Sequence, residues 1–144
     1  HEIVLIFQPL AKTKGIDLTE TSKSDLVKVY ADREMVHTIL RNLVTNAIKY
    51  SSPGDAISIH LVTEDHWVSV KVKDTGIGIS EENLNKLFKI DAKIKSTGTA
   101  GEKGTGLGLI LCREFIEINE GKFFIESELG QGTICTFNLK HAAT

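Results

Sequence analysis

The sequence predicts an α+β domain: a two-layer α/β sandwich whose mixed, mostly antiparallel sheet carries about three main helices on one face. Candidate strands follow one another across short turns, which favours antiparallel pairing. Three longer segments repeat apolar residues at helical spacing, enough to cover one face of a sheet. Strands and helices do not alternate as in a doubly wound βαβ sheet, so the Gly-rich loops here are not the loops of that architecture.

The elements follow in chain order. Ile3, Ile6, Phe7, Leu10 and Ala11 give Ile3 to Lys14 a helical period, and Gly15 is placed to end it. Ile16 to Glu20 and Leu26 to Ala31 alternate and are rich in strand formers. Asp32 is a good N-cap for a long helix through Tyr50, which Ser51, Ser52, Pro53 and Gly54 stop. Ala56 to Thr63 and Trp67 to Lys73 alternate cleanly around the turn Glu64-Asp65-His66. Ser80, followed by Glu81 and Glu82, opens a short helix to about Phe88. Lys89 to Lys103 reads as a long polar loop, and Thr105 to Asn119 as a helix closed by Gly121. Lys122 to Glu128 and Thr133 to Leu139 form a last hairpin about Leu129-Gly130-Gln131-Gly132. No repeat and no linker divides residues 1–144, so one domain is expected.

With 144 residues and 41% apolar content, the chain can bury one real core. Its 17 basic and 19 acidic residues leave a net charge of -2, which gives no electrostatic case for nucleic acid or an anionic membrane as partner. No apolar run approaches the ~18 residues of a membrane span. The opening HEIVLIFQPL lacks the basic flank and cleavage site of a secretory leader, and reads as the start of a piece of a longer protein. Cys112 and Cys135 fit no metal spacing and lie in apolar runs, which suits buried free thiols in a reducing compartment.

Three blocks carry the chemistry. In NLVTNAIKYS (Asn42 to Ser51), Asn42, Asn46 and Lys49 fall within roughly a 60° arc at ~100° per residue, beside an apolar stripe. A solvated polar edge is the bland alternative, but Asn is a mediocre helix former with little reason to recur inside one. A carboxamide oxygen is a hard, neutral ligand suited to Mg²⁺. In DTGIGI (Asp74 to Ile79), a carboxylate after a strand precedes two glycines that let the backbone come close to a flat ligand. Because a carboxylate only accepts hydrogen bonds, it suits the exocyclic amine of adenine and repels the carbonyl of guanine. In GTGLGL (Gly104 to Leu109), main-chain amides at a Gly-rich helix start suit anionic oxygens. Neither a P-loop nor a complete G-x-G-x-x-G is present, because position 109 is Leu and position 81 is Glu. The preceding run, with Lys89, Lys93, Lys95 and Lys103 against Asp91 and Glu102, has the length and charge of a lid over phosphates.

These blocks, in this order, resemble the ATP-binding catalytic domain of sensor histidine kinases, within the GHKL ATPase superfamily, whose fold is the Bergerat ATP-binding fold. NLVTNAIKYS looks like the N box, DTGIGI the G1 box, Leu87-Phe88 a shortened F box and GTGLGL the G2 box, while Gly130-Gln131-Gly132-Thr133 matches a late G-x-G-T segment. The resemblance implies ATP and Mg²⁺ as cofactors. Asn46 would bind Mg²⁺, and Asn42, Lys49 and Tyr50 would approach the phosphates and sugar, with Asn42, Asn46 and Lys49 as the catalytic set. Asp74 would hold the adenine amine with Thr133 supporting it through water. Gly76, Gly78 and Ile79 would line the base pocket, and Gly104, Thr105, Gly106, Leu107 and Gly108 would hold the phosphates. Lys95 and Lys103 are the candidates for the γ-phosphate.

The second aromatic of the F box is missing from Leu87-Phe88-Lys89-Ile90-Asp91. His1, His37, His60, His66 and His141 all lack the H-E-x-R-x-P-like setting of the family's phosphoacceptor, so they read as structural or surface residues. The resemblance therefore implies transfer of the γ-phosphate to a histidine on a separate dimerisation domain of the same kinase. A response regulator would act downstream. The isolated domain is expected to be a cytoplasmic monomer without membrane contact of its own, whether or not the full-length protein is anchored. Two other readings stand beside it. One is a nucleotide-sensing or docking module without transfer. The other is a slow GHKL-type ATPase, slow because the hydrolysing relatives place a water-activating carboxylate where this chain has Asn42.

Overall fold

The computed structural model describes residues 1–22, 27–89, 98–102 and 106–142. Its elements run α1 (Glu2–Lys14), β1 (Asp17–Ser22), β2 (Val29–Tyr30), α2 (Arg33–Lys49), β3 (Ala56–Thr63), β4 (Trp67–Asp74), α3 (Glu81–Leu84), α4 (Gly108–Ile118), β5 (Phe123–Glu128) and β6 (Gly132–His141). The strands form one six-stranded sheet in the order β1-β3-β4-β6-β2, with β5 also on β6. Among the described residues only β1 and β3 pair in parallel. The mixed, mostly antiparallel two-layer sandwich expected from the sequence is the fold observed.

Burial follows from period. On β4, Val68, Val70 and Val72 are buried while Lys71 and Lys73 are exposed, as the two-residue alternation of a strand requires. Val70 and Val72 join Ile57, Ile59, Phe137 and Leu139 from the sheet in one apolar cluster. Ile3, Val4 and Ala11 of α1, Ile39, Leu43, Val44 and Ala47 of α2, and Ile116 of α4 complete it. A single cluster shared by three helices and one parity of each strand places those helices on one face. At the helix ends, the Asp32 carboxylate accepts from the Met35 amide at 2.9 Å, capping α2 as expected. Gly15 ends α1 in the left-handed region at φ 80.

Several boundaries differ from the sequence expectation. β2 is only two residues long, pairing Val29 with His141 and Tyr30 with Lys140, the last residues of β6, while β5 pairs with Gly132 to Phe137 on the same edge; Leu26 lies outside the described residues. The helix expected from Ser80 to about Phe88 closes after Leu84, although Ser80 caps it by accepting from the Asn83 amide. Helix α4 starts at Gly108 rather than Thr105. Gly106 stands at φ 74, a conformation no α-helix contains. Residues 103–105 lie outside the described residues. Of the run expected to be a polar loop, residues 98–102 are described, and they dock on the end of α2.

Candidate nucleotide-binding site

Asp74 is the last residue of β4 and keeps the parity of Val68, Val70 and Val72, so its carboxylate points to the core side and is only 7% exposed. Burial pushes its pKa up, against the opposing pull of main-chain amides at Gly76 and Thr133, and the charge of Asp55 raises it further. The Gly76 amide donates to Oδ1 at 2.9 Å. Thr133 stands directly opposite in the β4–β6 register. Strand pairing thus places side by side Asp74 and Thr133, both expected from the sequence in one site.

Ser127 organises this corner, and sequence reasoning missed it. Its Oγ donates to Gly132 O at 2.9 Å, accepts from the Ile79 amide at 2.8 Å and lies 2.7 Å from Thr133 Oγ1. A hydroxyl has one proton. With that proton on Gly132 O, Thr133 must be the donor to Ser127, which leaves the Thr133 oxygen free only to accept. The one signal in the sequence was a serine at a strand position facing a threonine across a hairpin. Ser127→Ala should free the Thr133 proton and strip Ile79 of its acceptor. We expect about a fivefold loss of adenine-nucleotide affinity with an intact fold, measured by calorimetry and circular dichroism.

The two glycines of DTGIGI have different jobs. A Cβ at Gly76 would collide with Tyr50 O, and the neighbouring Ile77 amide donates to that same oxygen at 3.0 Å. Gly76 therefore lets the Asp74 loop sit on the end of α2. Gly78, at φ 71, is pressed against Glu128 O, and the Gly130 amide donates to Ile77 O at 2.7 Å. Its missing side chain serves the packing of the loop on the β5–β6 turn. Ile79, half-buried, follows it.

On α2, Asn42, Asn46, Lys49 and Tyr50 are all half-buried. The Lys49 ammonium lies 5.0 Å from the centre of the Tyr50 ring. From Asn42 to Tyr50 the helix advances about 12 Å at 1.5 Å per residue. One end of this face meets the start of α4, where a Cβ on Gly108 would stand 3.3 Å from Asn42 Oδ1. The other end meets the Asp74 loop. Gly108 thus stands beside Asn42, Gly76 against Tyr50, and Thr133 beside Asp74, while Asn46 lies one turn beyond Asn42 on α2. Gly106 and Leu107 are exposed just before α4. Lys95, Lys103, Gly104 and Thr105 lie outside the described residues. Ser51, next to Tyr50, is fully buried with no partner for its hydroxyl among the described residues.

Phe88 makes its aromatic contacts with residues far along the chain. Phe88 stands edge-to-face with Phe123 of β5 at 5.9 Å, and the Arg113 guanidinium of α4 lies 4.4 Å from its ring centre. Cys112 and Cys135 are free thiols, and burial pushes both up to about 12, which removes them as nucleophiles at neutral pH. An open depression of about 520 Å³ between α1 and β1, lined by residues such as Val4, Gln8 and Leu18, contains none of the site residues. Among the described residues no group of three His, Cys, Asp or Glu side chains could hold a metal.

Residues 31–143 match the family model described as histidine kinase-, DNA gyrase B-, and HSP90-like ATPase. The chain belongs to that family. Its similarity to curated members of this ATPase family includes the adaptive-response sensory kinase SasA of Crocosphaera subtropica, 36% identical over 96% of this chain and 36% of the relative. It also includes the sensor protein SrrB of Staphylococcus aureus, 39% identical over 93% of this chain and 22% of the relative. The chain therefore spans about a third or less of the length of these relatives. Among solved structures, the nucleotide-free catalytic domain of the histidine kinase ThkA superposes with a TM-score of 0.83 at 29% identity, covering 96% of this chain and 89% of that one. Full-length ShkA in complex with AMPPNP gives 0.81 at 26% identity, covering 99% of this chain and 29% of that one. ThkA in complex with the response regulator TrrA gives 0.76 at 28% identity, covering 96% and 38%. The sandwich is that of histidine kinase catalytic domains.

Proposed function

We propose that this chain is the ATP-binding catalytic module of a two-component sensor histidine kinase, which transfers the γ-phosphate of Mg-ATP to a histidine on a separate dimerisation domain of the same kinase. The observation that carries this reading is the buried Asp74 carboxylate. It is an acceptor-only group held by main-chain amides and tied through Ile77 and Tyr50 to the helix that bears Asn42 and Asn46. It takes the adenine amine and turns away guanine. Thr133, its proton committed to Ser127, accepts from a water beside the base. Gly76, Gly78 and Ile79 form the base end of the site. Asn42, Lys49 and Tyr50 approach the phosphates and ribose. The run Gly104, Thr105, Gly106, Leu107 and Gly108 offers amides to the phosphates, with Lys95 or Lys103 on the γ-phosphate.

Asn46 is the residue that would hold Mg²⁺. No cluster of acidic or imidazole ligands competes for that role among the described residues. This donor set fits an ion that takes most of its oxygens from phosphates and water. When bound, Mg²⁺ supplies charge neutralisation on the phosphates. The chain's own contribution is to position: Asp74 fixes the base, α2 fixes the phosphates' distance from it, and α4 offers its amino end. A carboxamide at Asn42 cannot take a proton from water at neutral pH, so hydrolysis by the isolated domain is slow.

The AMPPNP complex of ShkA and the TrrA complex of ThkA support ATP as ligand and a response regulator as downstream partner. Among the described residues no helix is long and apolar enough to cross a membrane. We take the isolated module to be cytoplasmic and monomeric, whatever else the full-length protein contains.

Labelled ATP, this chain and the separately produced dimerisation domain should yield acid-labile phosphohistidine on the latter. ATP binding without any transfer would instead make the chain a sensing or docking module. Brisk phosphate release by the chain alone would make it an ATPase.

A further inference from the structure

The last carbonyls of a helix have no partners within it and must find donors elsewhere. At the end of α2 they find them in Lys14, the last residue of α1. Its Nζ donates to Ile48 O at 2.8 Å, to Lys49 O at 3.1 Å and to Glu102 Oε2 at 2.7 Å, in a side chain only 12% exposed. All three ammonium protons are thereby used, at the negative end of the helix dipole. From the opposite side the Thr99 amide donates to Lys49 O at 2.9 Å, and its hydroxyl donates to Ser51 O. Residues 98–102 close on themselves: the Gly98 amide donates to Glu102 O and the Ala100 amide to Glu102 Oε1, each at 2.8 Å. Gly98 is buried so tightly that a Cβ there would collide with the Lys49 backbone and the Glu102 carboxylate.

We propose that Lys14 and Glu102 are positioning residues of the nucleotide site, forming a latch that docks residues 98–102 on the end of α2 and so sets where Gly106 to Gly108 stand beside Asn42. This rests on the nucleotide-binding reading above. Glu102 precedes Gly106 by four residues, a reach of at most about 14 Å, so the docked turn limits how far Gly106 and the start of α4 can stand from the end of α2. The Lys14 hydrogen bond also holds the Glu102 carboxyl below its usual range. The base end of the site is tethered independently, through Ile77 and Tyr50. Loss of the latch should therefore be felt by the phosphates and not by the base.

The test compares Lys14→Met, Glu102→Gln and Lys14→Arg with the unaltered chain. Calorimetry would use Mg-ATP and adenosine, and hydrogen exchange would follow the Thr99 amide without nucleotide. Lys14→Met and Glu102→Gln should weaken Mg-ATP about five- to tenfold, leave adenosine within about twofold, and speed Thr99 exchange. Lys14→Arg, which keeps the charge and donors, should stay near the unaltered chain. Equal losses for both ligands would show a merely structural contact and overturn the latch, as would unchanged Mg-ATP affinity in both neutral variants. If the unaltered chain bound neither ligand, the nucleotide-binding reading itself would fall.

Discussion

Asp74→Asn should abolish measurable ATP binding while leaving the nucleotide-free domain at least as stable as before. The carboxamide oxygen can still accept from the Gly76 and Thr133 amides, but its nitrogen then faces the adenine amine, donor against donor. Losing a charge-assisted hydrogen bond costs about 1.5–3 kcal/mol and stranding a buried donor about 1–3 more, so affinity should fall at least ~100-fold. Stability moves the other way because burial raises the pKa of Asp74. For a raised carboxyl, the native state binds more protons than the unfolded chain. Its stabilising contribution is complete below the ordinary carboxylate value and lost as pH rises through the raised one. At neutral pH the ionised group therefore burdens the fold, and asparagine relieves it. ATP affinity, which requires the carboxylate, should rise with pH over the same window. Thermal melts and calorimetry on both proteins from acid to neutral pH test both slopes. Unchanged ATP binding in Asp74→Asn would remove the adenine role.

Asn46→Ala should remove the dependence of ATP binding and transfer on Mg²⁺. The side chain is half-buried on α2 beside the core stripe, so truncation leaves the helix in place and Ala improves its propensity. What disappears is the one protein oxygen assigned to the ion. Losses of about 100-fold in transfer are expected, with nucleotide affinity in chelator hardly changed. A Mg²⁺ titration that superimposes on that of the unaltered chain would refute the role. Asn46→Asp keeps an oxygen but adds a charge beside the phosphates, and should shift the titration rather than erase it.

Much of this was legible before any coordinates. β3 is observed over the same residues, 56–63, that alternate in the sequence, and the Asp32 cap of α2 stands as expected. The parity of Asp74 with Val68, Val70 and Val72 was also in the sequence, and it is the reason that carboxylate is buried. Less legible were the edges. β2 meets only the last two residues of β6, a register that no local pattern records. Nor does any local pattern record that Phe88 meets Phe123 and Arg113, residues far along the chain.

By itself the sequence determined which residues form helices and strands, which face of each turns inward, and which side chains have chemistry suited to a purine triphosphate. Those properties depend on spacing of 2 or 3.6 residues and on side-chain type, both local. Only the tertiary structure decided that Asp74 meets the end of α2 through Ile77 and Tyr50, that Ser127 fixes the Thr133 proton, and that Lys14 clasps Glu102. The first and last of these contacts close long stretches of chain, and the second spans the β5–β6 hairpin. Their formation depends on strand register and helix docking, which the buried core sets as a whole.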